Sequence, residues 1–197
     1  MSTDLHTNAF VRVVAAVAFL AASLVQADAQ SDSNAAVRAQ RLDGLFALLK
    51  IAKDPDEGEA IVADIWKIWQ QSGSADLDGR MERATKLMAH GLLQPALGAL
   101  DEIVASAPQW AEAWNKRATV LFLLGEHDRS LADIERVLVL EPRHFGALAG
   151  IGLIRAEKGD LREALAAFRR ALAVNPFLKE RLGMIPALEK QLGEQPL

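Results

Sequence analysis

QWAEAWNKRATVLFLLGEHDRSLADIERVLVLEP, residues Gln109 to Pro142, decides how the chain folds, because the segments on both sides copy its pattern at a fixed spacing. Pro108, Pro142 and Pro176 are 34 residues apart, and so are Gly91, Gly125 and Gly159. Two independent marks that share one period define a repeat. Each copy reads as two amphipathic helices. A glycine ends the first by taking a left-handed conformation that other residues reach only at a cost, and a proline closes the second.

Three units follow in this register, at 75–108, 109–142 and 143–176. In their second helices a small residue recurs at the close crossing: Ala96, Ser130 and Ala164. Around it run columns of larger residues: Leu97, Leu131 and Leu165; Leu100, Ile134 and Phe168; Ile103, Val137 and Ala171. One helix pair cannot bury such a face alone, so neighbouring pairs must stack, which makes an all-α solenoid of antiparallel helix pairs. Upstream, 42–74 reads as a degenerate repeat of the same size. Its first helix carries Leu45, Phe46, Leu48, Leu49 and Ala52, and its second carries Ile61, Ile65, Trp66, Ile68 and Trp69. Asp54 to Gly58 is read as the break between them and Ser72-Gly73-Ser74 as the stop. Downstream, 177–197 reads as a capping helix and tail, with Leu182, Ile185, Leu188 and Leu192 on one side and a kink or break expected at Pro186.

Of the 197 residues 51% are hydrophobic, enough for a sizeable core in one domain, and Ala, Leu, Glu, Lys and Arg favour helix throughout. A formal charge of −4 gives no electrostatic footprint for nucleic acid. With no cysteine, disulfides, thiol nucleophiles and cysteine-bound zinc are excluded. Residues 1–29 have the layout of an export signal: Arg12, the apolar run Val13 to Val25, and Ala27-Asp28-Ala29 as the small-x-small site, with cleavage between Ala29 and Gln30. The alternative is a retained membrane anchor, but the run is short of the ~20 residues that span a bilayer. Polar residues 30–41 read as a flexible leader that can turn to helix near Ala35, and the expected compartment of a bacterial-type chain is the periplasm.

The second unit places Trp114, Ser130, Ile134 and Pro142 on the W-x2-L-G-x2-Y, A-x3-F, P pattern, with Ala118 for the usual glycine. The third places Leu148, Gly152, Ala164, Phe168 and Pro176 on it. The chain thereby resembles the tetratricopeptide repeat family over Leu77 to Pro176. Arg117 departs from an expected apolar residue, and Leu87, Leu121 and Arg155 stand where the family often has Tyr. The resemblance implies a right-handed superhelix whose concave groove is lined by the first helix of each unit. In this register the groove would show Asp78, Met81, Thr85 and Met88, then Glu112, Asn115, Lys116, Thr119 and Phe122, then Ala149, Leu153 and Ala156. Such a surface suits an extended peptide or a partner helix held by apolar anchors. Met88, Phe122 and Leu153 have a second reading as packing between helices. One subclass of the family clamps the carboxylate tail of cytosolic chaperones with Lys, Asn and Arg. Here the corresponding positions are Met81, Thr85, Lys116, Gly146 and Gly150, so that partner is not expected.

No catalytic, cofactor or metal site is expected. His90, His127 and His144 map to turns, and none has a His or Cys at ligand spacing. Asp54, Asp56, Glu57 and Glu59 lack the alternation of a calcium loop. Trp66 and Trp69 read as core, Trp114 as the family's packing residue, and Trp110 as an exposed contact residue. The function expected is a protein-binding adaptor or scaffold of the cell envelope. The alternatives are a self-associating structural module and, if the signal is retained, a membrane-anchored assembly factor.

Overall fold

A computed structural model describes residues 35–179 and 183–193. The expected signal, its Ala29–Gln30 junction and leader residues 30–34 lie outside the described residues. Among the described residues every regular element is helical, and no helix is long and apolar enough to cross a membrane. The chain divides into two compact units at Gly44. The first is helical over 35–44, so the expected turn to helix near Ala35 is present and residues 35–41 are helix and not flexible leader. Ala, Arg and Gln in AAVRAQR are strong helix formers, and polarity alone did not predict coil.

The second unit, from Leu45, opens with a helical segment α1 over 45–51. The helices α2 (Pro55–Trp69), α3 (Ala75–Ala89), α4 (Leu93–Ser106), α5 (Ala111–Leu123), α6 (His127–Leu140), α7 (Phe145–Glu157), α8 (Leu161–Val174) and α9 (Met184–Leu192) follow. Asp54 caps α2 by accepting from the Asp56 amide at 2.7 Å, and Pro55 opens the helix, where a missing N–H costs nothing. Residues 55–58, read as a break, are therefore the first turn of α2. Ser74 caps α3, while the Ser72 amide and hydroxyl both donate to Asp78 Oδ1 at 2.7 Å.

From α3 to α9 each helix packs on the next, and α3 touches α5 as α5 touches α7. The helix pairs thus stack with their first helices side by side. Each pair turns at a glycine with positive φ: Gly91 at 70°, Gly125 at 76° and Gly159 at 80°. Behind each glycine the next amide donates to a carbonyl five residues back at 2.9 Å: Leu92 to Leu87, Glu126 to Leu121, Asp160 to Arg155. This bond satisfies an orphan carbonyl at the helix end. A Cβ on Gly125 would meet nothing within 4 Å, so Gly125→Ala isolates the backbone cost. It is expected to destabilise the chain by about 1–2 kcal/mol in a denaturant titration; an unchanged midpoint would contradict the left-handed turn.

Ala96, Ser130 and Ala164 are all buried at the crossings, and the Ser130 hydroxyl donates to Ala118 O at 2.7 Å. Leu100, Ile134 and Phe168 lie beneath them, 0–3% exposed. Arg117 takes its unexpected place by a two-bond fork to the buried Asp133 carboxylate, both bonds 2.7 Å, and a third bond to Asp101 at 2.8 Å. Its guanidinium also lies 4.8 Å from the Trp114 ring. The hydrogen bond from Asp133 raises the Arg117 pKa above its ordinary value, against the opposing effect of burial.

Three tertiary placements differ from the sequence reading. Trp110 is buried, at 7% exposure, and its Nε1 donates to Trp69 O at 2.8 Å, because Trp69 reaches back over the start of α5. Trp114 is only half-buried between two core clusters, with Nε1 donating to Pro108 O at 3.1 Å. The capping helix α9 begins at Met184, not Phe177, with Pro186 in its first turn, the one place where proline interrupts nothing.

Candidate functional site

The second helix of the leading pair does not simply extend the stack. Helix α2 points its aromatic side chains at the start of α7. Trp66 meets Phe145 edge-on, with centroids 5.4 Å apart at 90°, and Trp69 stacks on His144 at 4.1 Å and 13°. Trp66 occupies the space that Gly146 leaves: a Cβ at 146 would come within 2.8 Å of the indole. At the other end of α2, a Cβ on Gly58 would overlap the Phe177 ring. Helix α2 therefore spans from Phe177 to the α7 N-terminus across the first-helix side of the stack.

Between α2 and the faces of α5 and α7 lies a cavity of about 510 Å³. Val62, Ala63 and Trp66 form its α2 wall, Phe122, Ala147, Gly150 and Leu153 the opposite wall, and Asn175, Phe177, Leu178 and Lys179 one end. Ile134 reaches the floor past Gly150, where a Cβ would stand 3.1 Å from Ile134 Cδ1. Polar groups are few: Glu59, Asn115, Thr119, Ser130, Asn175 and Lys179.

The residues expected in the groove divide. Asn115, Thr119, Phe122, Ala149 and Leu153 line the cavity. Phe122 packs near-parallel to His127 at 5.7 Å, and Thr119 Oγ1 donates to Asn115 O at 2.9 Å. Met81, Thr85, Met88, Glu112 and Lys116 do not line it. Met81 is 5% exposed within a core cluster built by α3, α4 and α5, and Met88 packs against the same cluster. Thr85 is exposed elsewhere, and Asp78 is engaged by Ser72.

Glu112, expected at a groove edge, is instead fully buried. Its Oε2 accepts from Asn115 Nδ2 at 2.8 Å and faces His144 Nε2 at 3.2 Å. The Ala147 amide donates to His144 Nδ1 at 3.1 Å, so that nitrogen carries no proton and the ring proton sits on Nε2, pointing at the carboxylate. His144 thereby caps α7, pairs with α5 and stacks on α2 at once. Lys116 Nζ stands 3.3 Å from Glu112 Oε1, which has no hydrogen bond. Sequence reasoning missed this centre because the two residues are 32 apart. The one available signal was the position of His144 just ahead of the third unit's first helix. Closed to solvent, the Glu112–His144 pair is an internal brace and not an acid–base couple for a substrate. Among the described residues no group of three or more His, Asp or Glu side chains could hold a metal ion.

The tetratricopeptide repeat profile matches residues 145–177, the third unit. A TPR repeat-containing protein of Rhizobium etli is 43% identical over 154 residues, spanning 78% of this chain and 76% of that protein. This chain belongs to the tetratricopeptide repeat (TPR) family. DnaJ homolog subfamily C member 3 of Mus musculus is 31% identical over 107 residues, 54% of this chain and 21% of that protein. Among solved structures, the first TPR of Spaghetti (RPAP3) bound to an HSP90 peptide, SRMEEVD, superposes with a TM-score of 0.56 at 19% identity. That match covers 60% of this chain and 94% of the other, and it speaks for the TPR fold alone. The TPR domain of P58(IPK) gives 0.54 at 27% identity over 60% of this chain and 34% of that one. TPR domains are generally non-catalytic modules that mediate protein–protein interaction.

Proposed function

We propose that this TPR chain is a non-catalytic adaptor or scaffold of the cell envelope that binds a peptide or helix of a partner protein on the concave face of α5 and α7. The observation that carries the reading is the cavity of about 510 Å³ on that face, walled by Phe122, Ile134, Ala147 and Leu153, with Asn115 and Thr119 among its few polar groups. A concave apolar site with a few convergent polar groups is the ordinary form of a recognition site. The exported, periplasmic location rests on the signal-like layout of residues 1–29.

The chemistry favours an apolar segment over an acidic tail. Of the positions corresponding to the carboxylate clamp, only Lys116 is cationic, and its ammonium stands 3.3 Å from Glu112. Gly146 has no side-chain donor, and Trp66 fills the space where a side chain would stand.

Affinity capture from the periplasmic fraction tests the proposal, using the chain from Gln30, a Thr119→Arg/Phe122→Ala variant, and Val139→Asp as a control. Val139 is 71% exposed on α6, a second helix away from the cavity. Loss of the co-captured partner by at least about tenfold in the groove variant, with retention in the control, is the expected result. Tenfold corresponds to roughly 1.4 kcal/mol, within the range of one anchor residue. Retention by the groove variant with loss in the control would reverse the assignment of faces.

A further inference from the structure

We infer that α2 is a displaceable occupant of the TPR groove, and that the partner displacing it is an amphipathic helix of the same build: two large aromatic residues three positions apart on one face, with a glycine-sized residue about two turns ahead. The inference rests on the groove reading above and names the chemistry of its partner.

The fit between α2 and its seat is reciprocal. Gly146 of the seat accepts Trp66 of α2, and Gly58 of α2 accepts Phe177 of the seat. Gly58, Val62, Trp66 and Trp69 recur at helical spacing, so one face carries all these contacts. The opposite face is wet, with Asp64 and Lys67 paired at 2.8 Å and both more than half exposed. This is the pattern by which a partner helix docks in a groove, except that the helix belongs to the same chain.

Two features make the seat one that can be vacated. The Trp69 Nε1 is buried without a hydrogen-bond partner, so docking leaves a donor unsatisfied that release to water would satisfy. Val62 and Trp66, on the cavity wall, are only half-buried, which gives an incoming helix apolar surface before α2 leaves. The link back to α3 is the short segment 70–74, with Gly73 at φ 90° as a ready pivot.

A helix tethered by so short a linker competes at an effective concentration on the order of millimolar, so a free copy binds tightly only when the tethered one is weakened. The test titrates a fluorescent peptide of sequence PDEGEAIVADIWKIW (residues 55–69) into the chain from Gln30, read by anisotropy. Expected are weak binding to the unaltered chain and at least about tenfold tighter binding to a Trp66→Ala/Trp69→Ala variant. Adding Gly146→Leu to that variant should abolish the gain, and a peptide with both tryptophans replaced by alanine should not bind. Equal binding to altered and unaltered chains, or binding that survives Gly146→Leu, would overturn the inference.

Should the double-tryptophan variant not unfold cooperatively, Gly58→Leu takes its place, since it disturbs α2 only at Phe177. Amide hydrogen exchange of the unaltered chain gives a second reading. Residues 60–69 should open at lower free energy than α5 and α7, and equal protection would count against a displaceable helix. Light scattering that finds a dimer exchanging α2 between copies would replace the single-chain occupant by a second copy. If partner capture depends on Thr119 and Phe122 while the α2 peptide binds no variant, the groove reading stands and this inference falls. Peptide binding with groove-independent capture gives the converse.

Discussion

His144→Ala is expected to lower the thermal midpoint by roughly 10 °C. The imidazole is fully buried and serves three elements: it accepts from the Ala147 amide at the start of α7, faces Glu112 Oε2 of α5 at 3.2 Å, and stacks on Trp69 of α2 at 4.1 Å. Loss of a cap costs ~1 kcal/mol. Removal of one partner from a buried polar pair costs ~3–5 kcal/mol, because Glu112 stays behind in the interior. The low end of that sum, about 4 kcal/mol, at ~2–4 °C per kcal/mol for a chain of this size, gives a shift of roughly 10 °C. Differential scanning calorimetry reads the result. A shift under about 2 °C would mean that the pair is not closed from water as described. His144→Asn, which retains a capping acceptor but not the reach to Glu112, should recover only the cap's share.

Phe168→Ala is expected to cost about 3–5 kcal/mol in a denaturant titration. Phe168 is fully buried, and it fills the space left by Gly152, where a Cβ would come within 2.7 Å of the ring. Gly152 itself has no side chain to move into the space left by the ring. The pair also makes a coupled prediction. Gly152→Ala should destabilise the unaltered chain by overpacking, yet stabilise the Phe168→Ala variant by filling space and improving helix propensity. Additive effects of the two substitutions would show that they do not touch.

These two sites also mark where the sequence was legible and where it was not. The contact of Phe168 with Gly152 lies inside one 34-residue unit, and the repeat register places both. The same register locates the turn glycines, whose positive φ needs only local information, and the small-residue column at Ala96, Ser130 and Ala164. The seat of α2 was beyond such reasoning. Trp66 and Phe145 are 79 residues apart, and periodicity says that Trp66 has a buried side without saying against what. Trp110 was misjudged for the same reason, since a residue just after a proline has no local mark of burial and its partner is the carbonyl of Trp69. Glu112 and Met81 sat on the expected first-helix face but turned inward, to His144 and to the α4 core respectively. Helix register fixes a direction to within a wide arc, and the neighbours decide whether that direction is wall or groove. Asn115, Thr119, Phe122 and Leu153 reach the cavity because α5 and α7 are adjacent and, among the described residues, α2 and the segment around Phe177 face them across it.

The central claim is that a protein partner meets the chain on the α5–α7 face, beside α2. Site-specific photocrosslinking in cells addresses it most directly, with a photoreactive phenylalanine analogue placed at Phe122 in the cavity wall or at Val139 on α6. A discrete crosslinked partner band is expected from position 122 and none from 139. A partner band from 139 with none from 122 would contradict it.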